Sequence, residues 1–247
     1  MCSNVTTEDA RKICQEVQRR GITRLCHFTQ SRKLYSILVS GLLSRSLLED
    51  EFSDLLTPTD MERFDKRLDY ISCSIEYPNT WYLKIAQKNN PEKQLFNDWV
   101  VLYLSVDLIW APKTLFSPCN AAYSGGRLLQ PGYDSFKKLF ERVVHCKQPR
   151  IRPNGMLPCC PTDDQAEVMI YQCIHPEYIW GIAVESEEQA NKEYRRLRFL
   201  FEQAKRSLPP LKWFIAPDIF PDHTGWPPWS SMVRQGQRPQ EVEWRPL

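Results

Sequence analysis

The chain has 247 residues and a formal net charge of +2, so it is long enough to bury a substantial core and has no large charge excess that would select a partner. No apolar run approaches the roughly 20 residues that a membrane-crossing helix needs. The N-terminal "MCSNVTTEDARK" also lacks the apolar centre of a signal peptide. We therefore expect a soluble, intracellular protein with no membrane partner.

The nine cysteines and four histidines show no metal-binding or disulfide pattern. The cysteine number is odd, and no C-x-x-C pair occurs. Cys159 and Cys160 are adjacent, which suits neither a zinc site nor a redox pair, and the histidines are not at paired ligand spacings. The sequence predicts free thiols and no metal.

The first third of the chain predicts a helix, a strand and a second helix. "TTEDARKICQEVQRRG" has threonines as N-cap, acidic residues in its first turn and Gly21 at its end. "ITRLCHFT" follows as a short strand, and "SRKLYSILVSG" as a helix with Ser31 as its cap. This unit would hold His27 at the end of a strand. The acidic segment 44–66 then predicts a long surface loop with or without short helices.

The middle of the chain alternates strand and helix patterns. "LDYISCSI" and "WVVLYLSVDLIW" predict strands, and "YDSFKKLFERVV" predicts an amphipathic helix. The proline-rich "HCKQPRIRPNGMLPCCPTDD" predicts an extended connection.

The last third adds three strands and one helix. "AEVMIYQCI", "YIWGIAVES" and "LKWFIAP" predict strands, the last of them the final strand of the chain. Ser186 and Gln189 predict a capping box for a helix that runs to about Ser207. Strands of mixed spacing with three or four helices indicate an α+β fold, and no linker divides the chain, so we expect one domain over residues 1–247.

Two groups of basic residues follow one another along the chain. Residues 127–152 contain seven lysines and arginines against Asp134 and Glu141, and a second group runs from Lys192 to Arg206. Such groups are either solvated helix faces or contacts to a phosphate-bearing partner. Composition leaves both interpretations open.

One carboxylate, Glu167, stands at the start of an apolar strand in "PTDDQAEVMIYQCI". A residue at that place can face a cleft while the following residues anchor the strand in the sheet. The alternative is a strand-end glutamate in an ordinary salt bridge.

Four separated blocks favour the first interpretation. In order they are "RLCHFT", "KRLDYISCSIEYPN", "FSPCNAAYSGG" and "PTDDQAEVMI", and together they resemble the DarT family over about Ile22 to Val184. The resemblance implies a single-domain ADP-ribosyltransferase-like fold, with a mixed, mostly antiparallel split β-sheet flanked by helices. It also implies a bacterial cytoplasmic toxin that transfers ADP-ribose from NAD to a base in single-stranded DNA and is opposed by a DarG-like macrodomain antitoxin.

The resemblance also implies roles for individual residues. Glu167 matches the catalytic glutamate, and a carboxylate there would stabilise the positive charge that develops on the ribose and accept a proton from the attacking base. His27 matches the histidine that hydrogen-bonds the ribose beside nicotinamide, with Phe28 and Thr29 next to it in the NAD site. A structural histidine is the alternative for His27.

Two further residues complete the implied site. Arg67 resembles an arginine that binds the NAD phosphates and the acceptor base, where a planar guanidinium gives a bidentate contact; its alternative is a surface ion pair with Asp65 or Asp69. Asn120 belongs to the asparagine block and would line the NAD site or the DNA groove. The glycine pair Gly125–Gly126 lacks the flanking residues of a phosphate loop, which leaves a turn as its interpretation.

Three other functions remain to be compared with this one. A cysteine hydrolase is disfavoured because Cys26 and His27 would point to opposite faces of a strand. A non-enzymatic nucleic-acid-binding module fits the basic groups and aromatic residues but not the His, Arg and Glu blocks. A transferase that modifies RNA or protein would bind NAD in the same way. The acidic insert at 44–66 and the Trp/Pro-rich tail depart from the family pattern, which leaves the acceptor base open.

Overall fold

A computed structural model describes residues 7–52, 65–79, 82–85, 98–123, 125–222 and 225–246, with the backbone alone for 49–52. The helices are α1 (Glu8–Arg20), α2 (Leu34–Ser40), α3 (Arg45–Phe52), α4 (Tyr133–Lys138), α5 (Glu187–Gln203) and α6 (Trp229–Arg234). The strands are β1 (Leu25–Gln30), β2 (Leu42–Leu43), β3 (Tyr70–Ile75), β4 (Trp99–Leu104), β5 (Leu115–Ser117), β6 (Val143–Val144), β7 (Arg150–Ile151), β8 (Glu167–Tyr171), β9 (Cys173–Ile174), β10 (Ile179–Val184), β11 (Lys212–Ile215) and β12 (Val242–Trp244).

Eight strands form one sheet in the order β12-β11-β10-β4-β1-β3-β8-β5. The β10–β11 pair is parallel and the other pairs are antiparallel. All six residues of β4 are buried, as its continuous apolar run predicts for a central strand. α5 packs against β10, β11 and α2, and α4 packs against β5 and α1. The α+β class and the mostly antiparallel sheet are confirmed.

The two N-terminal helices follow different rules at their starts. Thr7 caps α1 by accepting a hydrogen bond from the Ala10 N–H at 3.2 Å, and Gly21 ends it in the left-handed conformation. Ser31 does not cap α2: it opens a 3₁₀ turn, Ser31–Lys33, before the α-helix, and its side chain is buried. The predicted cap is therefore wrong, although the predicted face of α2 is buried in the core.

Three predicted segments end earlier than their apolar patterns suggest. α4 stops at Lys138 because the Leu139 carbonyl, which would continue a helix, accepts a hydrogen bond from the Thr162 N–H at 2.8 Å. Val143 and Val144, the last two residues of the predicted helix, instead form β6, which pairs with β7 in the predicted extended connection. β8 stops before Gln172, whose φ of 59° breaks the strand pattern. β4 ends at Leu104, and the 3₁₀ turn Val106–Trp110 follows it.

The C-terminal half differs from its prediction in the cap of α5, in the end of α5 and in the number of strands. Ser186 caps α5 through the Gln189 N–H at 3.2 Å, but Gln189 Oε1 accepts from the Glu185 N–H rather than completing the predicted box. α5 ends at Gln203, short of the predicted Ser207. β11 is not the final strand, since β12 pairs with it. Glu241, just before β12, accepts a hydrogen bond from the Tyr103 hydroxyl at 2.6 Å and so ties the tail to the central strand β4.

The cysteines also depart from the prediction. Cys119 and Cys146 form a disulfide, and Cys14 is disulfide-bonded as well. Because 27 residues separate Cys119 from Cys146, no local pattern marks the pair. The described cysteines that remain as thiols are Cys26, Cys73, Cys159, Cys160 and Cys173.

The described residues contain neither a membrane-spanning helix nor a metal site. No described helix is both long and apolar enough to cross a bilayer. No group of three or more histidine, cysteine or acidic side chains in the described ranges is arranged to hold a metal ion.

Candidate active site

The sheet splits between β1 and β3, its fifth and sixth strands. β1 pairs with β4 along its whole length, from Leu25 to Gln30. It pairs with β3 only at Leu25–Ile75 and Cys26–Ser74, and beyond Cys26 the ladder stops. β3 instead continues its pairing with β8 on its other side. The result is a fork between two half-sheets, and we expect a ligand to enter where strands separate in this way.

His27 lies at the point where the fork opens. Its Nδ1 is 2.9 Å from the Ser72 carbonyl oxygen on the other half-sheet. A carbonyl only accepts hydrogen bonds, so Nδ1 carries a proton, and in the neutral ring Nε2 is then the accepting nitrogen. Such an Nε2 can accept a hydrogen bond from a sugar hydroxyl, which is the role that the resemblance implies for His27.

Glu167 is the first residue of β8 and lies on the other side of the fork. The residue is 8% exposed, and its carboxylate accepts hydrogen bonds from strand β3 and from the loop after β5. Oε1 accepts from the Ala121 N–H at 2.8 Å, and Oε2 accepts from the Ser72 hydroxyl. Because the two donors reach different oxygens, they fix the orientation of the carboxylate.

The turn before β8 sets the starting point of that strand. Asp163 Oδ1 accepts from the Gln165 N–H at 2.8 Å, and its carbonyl accepts from the Ala166 N–H at 3.1 Å. This is the local bonding by which aspartate favours turns. Burial raises the pKa of Asp163 to about 6, and the neighbouring Asp164 carboxyl adds to the shift. Asp163 therefore stabilises the turn that delivers Glu167 to the cleft.

Asn120 shapes the loop that donates to Glu167. Its Oδ1 accepts from the Ala122 N–H at 2.9 Å, and its Nδ2 donates to Gln165 Oε1 at 3.4 Å. The loop is thus tied to the turn before β8, and its Ala121 N–H reaches the carboxylate. The following glycines form the expected turn. A Cβ on Gly126 would lie 2.5 Å from the Asp65 carbonyl oxygen, so only glycine allows this close approach.

The disulfide anchors the same loop from its other end. Cys119 directly precedes Asn120, and Cys146 belongs to the connection between β6 and β7. Holding the two segments together limits the movement of the Ala121 N–H relative to Glu167.

We expect reduction of Cys119–Cys146 to lower the transfer rate several-fold, because a looser loop keeps the Ala121 N–H on Glu167 for less of the time. The rate with and without a phosphine reductant measures this, and Cys119→Ser should be insensitive to the reductant. An unchanged wild-type rate after complete reduction would contradict the expectation.

Phe28 and Thr29 continue β1 beyond His27. Thr29 is buried at 3% exposure and pairs with Val100. Phe28 is partly buried, with its ring 5.8 Å from Tyr82 and 5.7 Å from Trp99. Both positions lie on the open side of the fork. Contact of either residue with NAD stays a prediction.

Arg67 is exposed and precedes β3 at the end where Tyr70 pairs with Tyr171. Glu167 lies at the other end of β8, so the sheet register does not bring Arg67 to the carboxylate. Its backbone N–H donates to Asp65 Oδ1 at 3.2 Å, and the Asp65 segment packs against Gly126 of the Asn120 loop. Its predicted contact with NAD phosphates stays a prediction.

The thiols near the site are poor nucleophiles. Burial raises the pKa of Cys26 and of Cys73, and the charge of Glu167 adds to the shift at Cys73. Thiols held neutral in this way do not attack a substrate. The geometry therefore disfavours a cysteine hydrolase.

Sequence analysis missed two polar residues of the site, Ser72 and Ser117. Ser72 contacts both His27 and Glu167. Ser117 is paired directly with Glu167 across β5 and β8, and its hydroxyl is buried without a hydrogen-bond partner among the described residues. Their only sequence signal is a serine in or at the end of a largely apolar strand.

This combination of a split sheet, a histidine at the fork and a doubly held glutamate is the arrangement that the ADP-ribosyltransferase resemblance implies. The chain belongs to the DarT family, because the family described as "ssDNA thymidine ADP-ribosyltransferase, DarT" matches residues 26–220. The protein is accordingly an NAD-dependent ADP-ribosyltransferase of a family that acts on single-stranded DNA. No curated protein sequence matches the chain.

Solved structures agree with this fold. Thermus sp. 2.9 DarT in complex with NAD⁺ superposes with a TM-score of 0.51 at 17% identity, over 80% of this chain and 96% of that one. Its complex with carba-NAD⁺ gives 0.50 at 16% identity, over 80% and 97%. Thermosipho africanus DarTG in complex with ADP-ribose gives 0.52 at 14% identity, over 80% of this chain and 50% of that one. This chain therefore spans half of the DarTG chain.

Proposed function

We propose that this protein attaches ADP-ribose from NAD to the thymidine base of single-stranded DNA and acts as a toxin. The single observation that carries the proposal is the placement of His27 and Glu167 on the two sides of one fork, each bonded to Ser72. The family description supplies the thymidine acceptor. A DarG-like antitoxin as partner is part of the same proposal, supported by the DarTG neighbour.

The chemistry uses few protein groups. The bond between ribose C1′ and the nicotinamide nitrogen breaks, and the electron pair leaves with neutral nicotinamide. The thymine N3 lone pair forms the new bond to C1′, and the N3 proton passes to the Glu167 carboxylate. Before the proton arrives, the negative charge of Glu167 stabilises the positive charge on the ribose. Nε2 of His27 orients the sugar by accepting from a ribose hydroxyl.

Mass spectrometry of short oligonucleotides incubated with the protein and NAD tests the proposal. A thymidine-containing single strand should gain one ADP-ribose, and a strand without thymidine should not. Modification of RNA or protein alone would favour the alternative acceptor classes, and binding without any adduct would favour a non-enzymatic module. Expression in bacteria should stop growth, and a co-expressed macrodomain hydrolase should relieve it.

We expect His27→Ala to weaken NAD binding by about tenfold, which corresponds to the loss of one hydrogen bond. Arg67→Ala should weaken both NAD binding and transfer. Titration calorimetry measures the affinities, and His175→Ala is the matched control, because His175 is exposed and follows β9 rather than lying on a strand of the fork. Unchanged NAD affinity in both His27→Ala and Arg67→Ala would mean that the donor site lies elsewhere.

A further inference from the structure

Ser72 is the one partly exposed residue of β3, whose other five residues are buried. It lies where the fork opens. The register that pairs Cys26 with Ser74 would place Ser72 opposite Phe28 if the ladder continued. The ladder stops instead, and the Ser72 carbonyl accepts from the His27 ring. The Ser72 carbonyl, which would bond the β1 backbone in a continuous ladder, thus bonds the His27 side chain.

The Ser72 side chain acts on the other half of the site. Its hydroxyl has one proton, and the structure directs that proton to Glu167 Oε2. A hydrogen bond donated to a carboxylate favours its ionised form. The Ala121 N–H does the same at Oε1. The two hydrogen bonds from Ser72 and Ala121 therefore favour the ionised carboxylate and hold it in one orientation before the substrate binds.

We propose that Ser72 is a positioning residue for the transfer reaction: its hydroxyl orients and keeps ionised the Glu167 carboxylate, while its carbonyl selects the His27 tautomer whose Nε2 accepts. This inference rests on the proposed function, in which Glu167 stabilises positive charge and then takes a proton. Both tasks need an ionised carboxylate with lone pairs left for the proton. Ser72 couples the two residues because one amino acid contacts both.

The test compares Ser72→Ala with Ser74→Ala and Ser72→Thr. Ser74 is two residues further along the same strand and face, is buried, and its side chain makes no hydrogen bond to Glu167 or His27 within the described part of the chain. Loss of a hydrogen bond to a charged group predicts that Ser72→Ala lowers kcat by about 10- to 100-fold. KM for NAD should change little, because the His27–carbonyl contact remains. Ser74→Ala should stay near wild type, and Ser72→Thr should recover most of the rate.

The pH profile separates positioning from a merely structural role. Without the Ser72 donor, the Glu167 carboxylate is protonated more readily, so the acidic limb of the kcat profile should move to higher pH in Ser72→Ala. Ser72→Thr keeps the hydroxyl and should keep the wild-type limb. A wild-type kcat and limb in Ser72→Ala would overturn the proposal. If Ser72→Ala does not fold, a Ser72→Thr variant that folds but has the shifted limb would also overturn it.

Release of nicotinamide from NAD is measured in parallel, with and without DNA. This step is common to every acceptor, so it reports on Glu167 even if the acceptor is not DNA. Wild-type protein that releases nicotinamide but leaves DNA unmodified would refute the DNA acceptor and leave the Ser72 comparison valid. Equal nicotinamide release by wild type and Ser72→Ala would refute the role of Ser72 without affecting the proposed DNA acceptor.

Discussion

Glu167→Gln should reduce transfer by roughly 100-fold or more, which is the usual cost of removing a charge-stabilising group or a general base. The variant keeps the shape of the side chain but removes its charge. The amide oxygen can accept from the Ala121 N–H, and the amide nitrogen can donate to the Ser72 oxygen. Both contacts are therefore satisfied, and the fold should be retained.

The measurement is the rate of adduct formation on a thymidine oligonucleotide, together with the melting temperature of the variant. Glu177→Gln is the matched control, because Glu177 is an exposed glutamate outside the fork. Glu167→Ala should be equally inactive but less stable, since it leaves two donors without their acceptor. Turnover close to wild type in a folded Glu167→Gln variant would remove Glu167 from the mechanism.

The elements that sequence analysis predicted best are those with local signals. α1 has its cap, its acidic first turn and its terminal glycine within the segment itself, and all three appear in the structure. α4 is the contrasting case. Its apolar pattern continues past Lys138, but Thr162, more than twenty residues later, takes the Leu139 carbonyl. A partner so distant leaves no trace in the local pattern.

The site residues also divide into those with a signal in the sequence and those fixed by long-range contacts. Glu167 and His27 were found because they lie in blocks that resemble a known family, and the structure brings them to one fork. The fork itself depends on where the β1–β3 ladder stops, which is a long-range property of register. Ser72 could be identified only once that register was known. The Cys119–Cys146 disulfide was missed for the same reason.

The basic groups illustrate what a charge count leaves out. In the first group, six side chains are exposed, whereas Arg152 donates to the carbonyls of Leu157 and Cys160 at 2.7 Å and is structural. In the second group, Lys192 pairs with Asp98, Arg196 with Glu193, and Arg198 with Glu202. Three of the six basic residues of the second group are thus paired within the protein, whereas in the first group Arg150 pairs with Asp163 at 3.6 Å. We expect the stronger phosphate attraction from residues 127–150. These residues follow the loop that contacts Glu167.

Single-stranded DNA should be modified at least roughly 100-fold faster than the same strand annealed to its complement. N3 is the ring nitrogen of thymidine that carries a proton, and in a duplex it is hydrogen-bonded to the partner base. Unpairing and unstacking the base costs a few kcal/mol, and each 1.36 kcal/mol is a tenfold change in rate. The net charge of +2 gives little phosphate attraction to offset that cost.

The comparison uses one labelled oligonucleotide, alone and annealed, over a range of salt concentrations. Binding should weaken as salt rises, with a slope that reflects a few phosphate contacts. Lys147 is exposed beside the disulfide that anchors the Asn120 loop, so it is placed to contact a phosphate of the bound strand. Lys147→Ala should therefore reduce the slope by about one. Arg198→Ala should not, since its guanidinium is already paired with Glu202 at 2.8 Å. Equal modification of single and paired strands would mean that the acceptor atom is not on the pairing edge of the base.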